Sequence, residues 1–159
     1  RIMEKLIYIL LFFVSINSFA QKKKDLKKLG IKTIEVSENN NGKTFFDSKT
    51  TYDKNGEIIE DWNYDKQGNL KSILKIKYNN DSDPIEEQEF DGAKNLIEKR
   101  IFKYDLMGQK TEETFYDGSG KLTKKHIITY LSNGLKSEKK IYDGNNILKS
   151  TKKYIYSTK

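Results

Sequence analysis

The stretch YDKNGEIIEDWNYDKQGNLK, residues 52–71, contains one short phrase twice. YDKNG at residues 52–56 returns twelve positions later as YDKQG at residues 64–68. Asp in the first and Gly in the fourth position is typical of a tight turn, because the carboxylate accepts backbone N–H groups and glycine adopts a positive φ without a Cβ clash. The stretch therefore predicts two turns that bound a short strand.

The phrase belongs to a repeat that runs along most of the chain. Aromatic residues, most of them followed by Asp, recur with spacings that alternate between twelve and fourteen positions, so the full period is the sum of the two. Extrapolation fourteen positions back from the first of them reaches position 38, with Gly42 four positions on. The aromatic positions are Tyr52, Tyr64, Tyr78, Phe90, Tyr104, Tyr116, Tyr130, Tyr142 and Tyr156.

Between these positions apolar and polar residues alternate, which is the pattern of a strand. The connections are short, so consecutive strands must be antiparallel neighbours. We therefore predict an all-β fold, an antiparallel meander of repeated hairpins with a 26-residue period. About nine or ten strands form a single curved sheet over residues 31–159. The Asp-Gly pairs at 91–92 and 143–144 predict shorter turns, and residues 79–84, without glycine, predict the most irregular one.

The charge pattern supports the same pairing of strands. The unit that begins at Tyr52 carries a net charge of −3, and the unit that begins at Tyr64 carries +3. Acidic and basic units continue to alternate through the middle of the chain. Neighbouring strands then face opposite charges, and each directly opposed pair contributes roughly 0.2–1 kcal/mol.

The N-terminus has the features of a secretory signal peptide. Lys5 supplies a positive charge, residues 6–14 form an apolar run too short to span a bilayer comfortably, and small residues stand where signal peptidase reads, at Ser18 and Ala20. We predict a signal helix over residues 1–20, cleavage after Ala20, and a basic linker over residues 21–30. The mature protein is then periplasmic or extracellular, without a transmembrane span. Because the chain has no cysteine, neither a disulfide nor a lipidated cysteine is available.

The iterated Tyr-Asp-x-x-Gly-x-Leu phrase, seen at residues 64–70 and 116–122, resembles the YD repeats of RHS-type proteins. The resemblance covers residues 52–156, although the Arg usual after the Gly is replaced. It implies a β-hairpin repeat fold. About four and a half hairpins are too few to enclose anything, so the cargo-encapsulating role of RHS shells is not implied. A looser similarity to short MORN-variant repeat proteins suggests an immunity or antitoxin-like role.

Candidate catalytic residues are few. His126 is the only histidine, and with no cysteine beside it the patterns of zinc and nucleophile sites are missing, so we interpret it as an ordinary strand residue. Glu86 and Glu87 are adjacent on a strand and point to opposite faces, which suits cross-strand partners of Lys and Arg better than a catalytic pair. Residues 79–83 only loosely resemble a calcium loop. We predict no enzyme activity, no metal site and no cofactor.

Basic residues concentrate near both ends of the chain, and the C-terminal end is also rich in tyrosine. We predict an exported, non-enzymatic repeat protein that serves as a protein-binding or structural module of the cell envelope, with another envelope or secreted protein as partner. The alternatives are a binder of anionic glycan or cell-surface polyanion and an immunity-like partner of a toxin; export argues against nucleic acid. Lysines that protect a sheet edge would give the same composition. The candidate surface comprises Tyr130, Lys136, Lys139, Lys140, Tyr142, Lys149, Lys152, Lys153, Tyr154 and Tyr156.

Overall fold

The computed structural model describes residues 16–158, and this part of the chain contains one helix and ten strands. Helix α1 spans Ile16–Leu29. The strands are β1 (Thr33–Asn40), β2 (Lys43–Tyr52), β3 (Ile58–Tyr64), β4 (Leu70–Tyr78), β5 (Pro84–Asp91), β6 (Leu96–Tyr104), β7 (Lys110–Asp117), β8 (Leu122–Tyr130), β9 (Lys136–Asp143) and β10 (Leu148–Lys153).

The ten strands form one sheet in sequence order, and every neighbouring pair is antiparallel. The predicted all-β meander is thereby confirmed. The sheet is open, with β1 at one edge and β10 at the other. Most of the predicted linker, residues 21–29, lies in α1. The apolar run of the predicted signal peptide lies outside the described residues.

Eight of the nine hairpin connections are the same five-residue turn. In the first of them the Asp53 N–H donates to the Glu57 carbonyl at 2.9 Å and the Gly56 N–H donates to the Asp53 carbonyl at 3.1 Å. The fourth residue of each turn has a positive φ, which is why glycine is common there. The predicted shorter turns were wrong, because Lys94 and Asn146 occupy that position. The turn at residues 79–83 is regular too, with Ser82 at φ 65°.

The connection between β1 and β2 is the exception. Asn41 and Gly42 both have positive φ, at 52° and 80°, and Asn40 pairs directly with Lys43. A two-residue Asn-Gly connection of this kind matches the right-handed twist of the flanking strands. The extrapolated first repeat is therefore a shorter hairpin of a different type.

Each hairpin is displaced along the strand direction relative to the hairpin before it. Lys77 lies opposite Glu86, and Glu86 lies opposite Ile101. A row across the sheet therefore advances from residue 77 to residue 101, which is two positions less than the repeat period. A displacement by two positions corresponds to about 6.8 Å of strand. As a result, the last three residues of β4, β6 and β8 pair only with the strand that follows.

Tyrosine side chains complete the hydrogen bonding at these staggered strand ends. Tyr104 at the end of β6 donates its O–H to the carbonyl of Pro84 at 2.8 Å. Pro84 begins β5 and has no ladder partner in β6, so the phenol satisfies a carbonyl that the stagger leaves unpaired. We call this contact the tyrosine clamp. It recurs once in every repeat, each time reaching 20 residues back, at Tyr78, Tyr104, Tyr130 and Tyr156.

Candidate binding surface

The basic and aromatic residues predicted to form one surface lie on the last three strands and after β10, on both faces of the sheet. Lys139 and Lys152 are directly opposite each other, and Lys140 is opposite Thr151 on the other face. Tyr130 and Tyr156 serve as tyrosine clamps. The set is therefore divided between two faces and one end of the sheet.

Several lysines of the set are already engaged. The Lys140 ammonium lies 3.1 Å from a Glu138 carboxylate oxygen, and that of Lys149 lies 2.9 Å from Asp143. Within residues 16–158, ion pairs are absent at Lys136, Lys152 and Lys153. These three exposed lysines are the part of the predicted basic surface that remains available to an anion.

His126 is buried and contacts a carboxylate, which the sequence did not indicate. Its Nδ1 lies 2.7 Å from Oε2 of Glu113, and its ring meets Phe115 edge-on at 4.9 Å. Burial lowers the pKa of His126, although the hydrogen bond to Glu113 opposes that shift. Burial would raise the pKa of Glu113, but hydrogen bonds from Lys110 and His126 lower it to about 2. The contact joins β8 to β7, where His126 lies directly opposite Glu113.

The acidic residues of the strands are held by lysines. Glu86 accepts from Lys77 at 2.8 Å and from Lys99 at 3.2 Å. Glu112, at the same position one repeat later, is bracketed by two lysines in the same way. Neighbouring ammonium groups hold the pKa of Glu86 below its ordinary value. Among the described residues there is also no cluster of three His, Cys, Asp or Glu side chains arranged to hold a metal ion.

The turns of the sheet lie at two ends, and α1 packs at one of them, which we call the helix end. The β2–β3, β4–β5, β6–β7 and β8–β9 turns lie at the helix end. Lys23 of α1 forms an ion pair with Glu57, and its backbone lies against Gly56. Leu26 is 5% exposed and lines a cavity together with Tyr52. The helix thus buries an apolar side chain against the first turn at this end.

Two other turns at the helix end expose apolar side chains. Leu106 is fully exposed and Met107 is 79% exposed at the tip of the β6–β7 turn. The next turn at this end is adjacent, since Gln109 donates its Nε2–H to the Gly134 carbonyl at 3.0 Å. Further exposed apolar residues follow in the β8–β9 turn and after β10. We call the whole set the apolar rim: Leu106, Met107, Leu131, Leu135, Ile155 and Tyr156.

The apolar rim was not predicted, although the sequence contains a local signal for it. The β2–β3 and β4–β5 turns place Lys54-Asn55 and Asn80-Asp81 where the β6–β7 turn places Leu106-Met107. A turn tip faces water, so polar residues are the usual occupants. Leu106 and Met107 depart from this pattern. The departure is visible in the sequence when the turns of the repeat are compared with one another.

Comparison with known proteins identifies no family for this chain. No family model matches it, and neither does any curated protein. A solved structure of a protein of unknown function from Bacteroides fragilis is similar at 15% identity and a TM-score of 0.45, covering 80% of this chain and 96% of that one. The structure of TarM is similar at 18% identity and a TM-score of 0.33, but the match spans only 23% of TarM. Scores this low carry no argument about function.

Among the described residues, no helix has the length and apolar character needed to cross a membrane.

Proposed function

We propose that this chain is an exported, non-enzymatic repeat protein that binds another protein through the apolar rim. The observation that supports the proposal is the exposure of Leu106 and Met107 beside Leu131 and Leu135. Contiguous exposed apolar patches on a folded protein usually mark interaction sites. Full burial of an exposed side chain of this kind contributes about 1.5–3 kcal/mol. Leu106 and Met107 can contribute most of that, and Leu131 and Leu135, already more than half covered, can contribute less towards the cost of association.

The kind of partner follows from what the helix end already binds. Helix α1 buries Leu26 against the β2–β3 turn there. The β6–β7 and β8–β9 turns have the same backbone; the first presents Leu106 and Met107 in place of a polar tip, and the second carries Leu131 and Leu135 on either side of its polar tip. A partner segment with an apolar face, a helix above all, fits the apolar rim as α1 fits the first turn.

Export and the absence of catalysis belong to the same proposal. The signal-peptide features at residues 1–20 support export to the periplasm or beyond. The carboxylates that a hydrolase would need are engaged: Glu86 and Glu112 by paired lysines and Glu113 by Lys110 and His126. Six of the eight equivalent turns begin with Asp, the others with Asn79 and Leu131, and this pattern supports a relationship to YD repeats, as a short sheet without a shell.

The test is a capture experiment followed by a binding measurement. The purified protein is used as bait on envelope extract of the producing cell, and a recovered partner is then titrated against the variants. Leu106→Ser combined with Leu131→Ser should abolish capture and weaken binding at least about tenfold, since about 1.4 kcal/mol corresponds to a factor of ten. The matched control is Ile97→Ser combined with Ile147→Ser, which removes two other exposed apolar residues away from the rim. Equal loss in both variants, or in neither, would contradict the proposal.

The alternative, binding of a polyanion, is favoured by the exposed lysines at the β10 edge. Lys136, Lys152 and Lys153 are exposed. Such binding should weaken steeply between low and physiological salt, because exposed charges are screened. Contact through the apolar rim should not weaken in this way. A toxin recovered as the captured partner would establish the immunity-like role.

A further inference from the structure

The outer edge of β10 lacks a partner strand that the equivalent strands β4, β6 and β8 have. β4, β6 and β8 each end with three residues that pair only with the next strand, as Tyr130 does with Lys136. The corresponding residues after β10 are Tyr154, Ile155 and Tyr156, and β10 ends at Lys153. Within residues 16–158 no strand covers that edge. The three residues are 36%, 90% and 49% exposed.

The neighbours of the interior strands show which kind of strand belongs on that edge. The even strands β4 and β6 are basic, and each forms ion pairs with carboxylates of the strand that follows it. The basic strand β8 is followed by β9, in which three lysines accompany Glu138 and Asp143, and Asp143 lies opposite Lys124. Opposite the end of β4 stand Glu86 and Glu87, and opposite the end of β6 stand Glu112 and Glu113. β10 carries Lys149, Lys152 and Lys153 and no acidic residue. Its free edge therefore fits an acidic strand.

The chain itself contains a strand of this kind with a free edge. β1 carries Glu35 and Glu38, no basic residue, and pairs only with β2 among the described strands. Its residues from Glu35 to Asn39 are exposed. Helix α1 rests on the β2–β3 turn through Lys23 and Leu26, so these contacts leave the outer edge of β1 open.

We propose that copies of this chain associate head to tail, with the β1 edge of one copy added antiparallel to the β10 edge of the next. An eleventh strand of the meander would run antiparallel to β10, which is the direction that β1 takes relative to an even strand. Pairing of β10 with a second β10 would bring together two strands without any acidic residue and is disfavoured; β9 also places Lys139 opposite Lys152, but it carries Glu138 and Asp143 as well. Such a contact uses a different surface on each partner, so it continues from copy to copy instead of closing as a dimer. The inference shares Ile155 and Tyr156 with the apolar rim, but its test leaves Leu106 and Leu131 unchanged, so it can fail or succeed separately from the proposed function.

The test is sedimentation velocity of the full chain over a wide range of protein concentration. At low salt we expect species that grow past the dimer as concentration rises. They should shrink in 1 M sodium chloride, where the screening length falls to about 3 Å. Lys152→Glu combined with Lys153→Glu should weaken association about tenfold or more, as should Glu38→Lys. Lys71→Glu changes an exposed lysine of the interior strand β4 and should leave association unchanged.

A charge exchange separates edge pairing from other causes of association. The K152E/K153E protein keeps an acidic β1, and the E38K protein keeps a basic β10. An equimolar mixture should therefore associate again, although each protein alone does not. Association that stops at the dimer, that persists unchanged in K152E/K153E, or that fails to return in the mixture overturns the proposal, as does a wild-type chain that stays monomeric. Far-ultraviolet circular dichroism of both variants is compared with that of wild type first. If the spectrum of one variant differs, the effect of the other variant on association is compared with wild type instead.

Discussion

Removal of one clamp hydroxyl should measurably destabilise the sheet. In Tyr104→Phe the ring stays, but the O–H that donates to the Pro84 carbonyl at 2.8 Å is lost. A hydrogen bond of this kind contributes about 0.5–1.5 kcal/mol, and a carbonyl left without a partner adds to the cost. Pro84 is only half-buried, so water can partly replace the phenol. We therefore expect a loss of about 1.5–2 kcal/mol, which lowers the Tm by about 3–8 °C for a protein of this size.

The matched control is Tyr116→Phe. Tyr116 stands one repeat after Phe90, at a position that already accepts phenylalanine. Its O–H makes no hydrogen bond to any described residue, so this variant should stay within about 0.5 kcal/mol of wild type. Guanidinium denaturation followed by the fluorescence of Trp62, the only tryptophan, measures both. Equal losses of stability in the two variants would refute the clamp as a stabilising contact.

The titration of the clamp phenols gives an independent measurement. Burial is the main cause that raises the pKa of Tyr78 and Tyr104 to about 12. Because the folded-state pKa lies above the ordinary value of 10, their contribution to stability is complete below pH 10 and is lost as pH rises towards 12. Ultraviolet absorbance titration should resolve these two tyrosines as late-ionising, and Tyr104→Phe should remove one of them.

The remaining predictions concern other links between sequence and structure. Gly118→Ala should cost about 2–3 kcal/mol, because its Cβ would lie 2.0 Å from the Leu96 carbonyl oxygen, and Gly120→Ala only about 1 kcal/mol for its positive φ. The free energy of unfolding of wild type, relative to that of Glu113→Gln, should fall by about 1–2 kcal/mol as pH drops from 4.5 towards 2, because the folded-state pKa of Glu113 is lowered. Equal changes of this free energy with pH in the two proteins would contradict the prediction. Exported protein should begin at Gln21 in N-terminal sequencing, and an intact N-terminus on a cytoplasmic product would exclude the signal peptide.

The strands and turns could be predicted because their signals are local. A turn such as 53–57 is specified by its own Asp and Gly, and the alternation between turns specifies the strands. The misjudged turns show where local reasoning fails. Gly92 is not the residue with positive φ in its turn; a Cβ there would lie 2.1 Å from the Leu70 carbonyl oxygen of the adjacent strand. That requirement comes from the stagger of the sheet, which no single turn reveals.

The features that concern function were harder to predict, because most of them also depend on how neighbouring strands are displaced. The division of Lys139 and Lys140 between two faces follows from strand parity, but the tyrosine clamps and the burial of His126 depend on which strand lies alongside and by how much it is displaced. The repeat gave a weak hint: the four clamp positions are all tyrosine, whereas the other aromatic series includes Phe90. The apolar rim required the knowledge that Leu106 and Leu131 lie at the same end of the sheet.

The constant stagger makes the length of this sheet adjustable. If residues 79–104 were excised, Tyr78 would be followed directly by the turn that starts at Asp105, and it would meet Lys110 six positions further on, as Tyr104 does now. Lys77 would face Glu112 in place of Glu86, so the opposed charges would also match. A second copy of the same segment, inserted in frame, would preserve the strand pairing in the same way. Loss of a single strand with its turn would instead reverse the direction of every later strand. Gene duplication and deletion can thus lengthen or shorten this protein in whole hairpins without changing the register of the remaining strands.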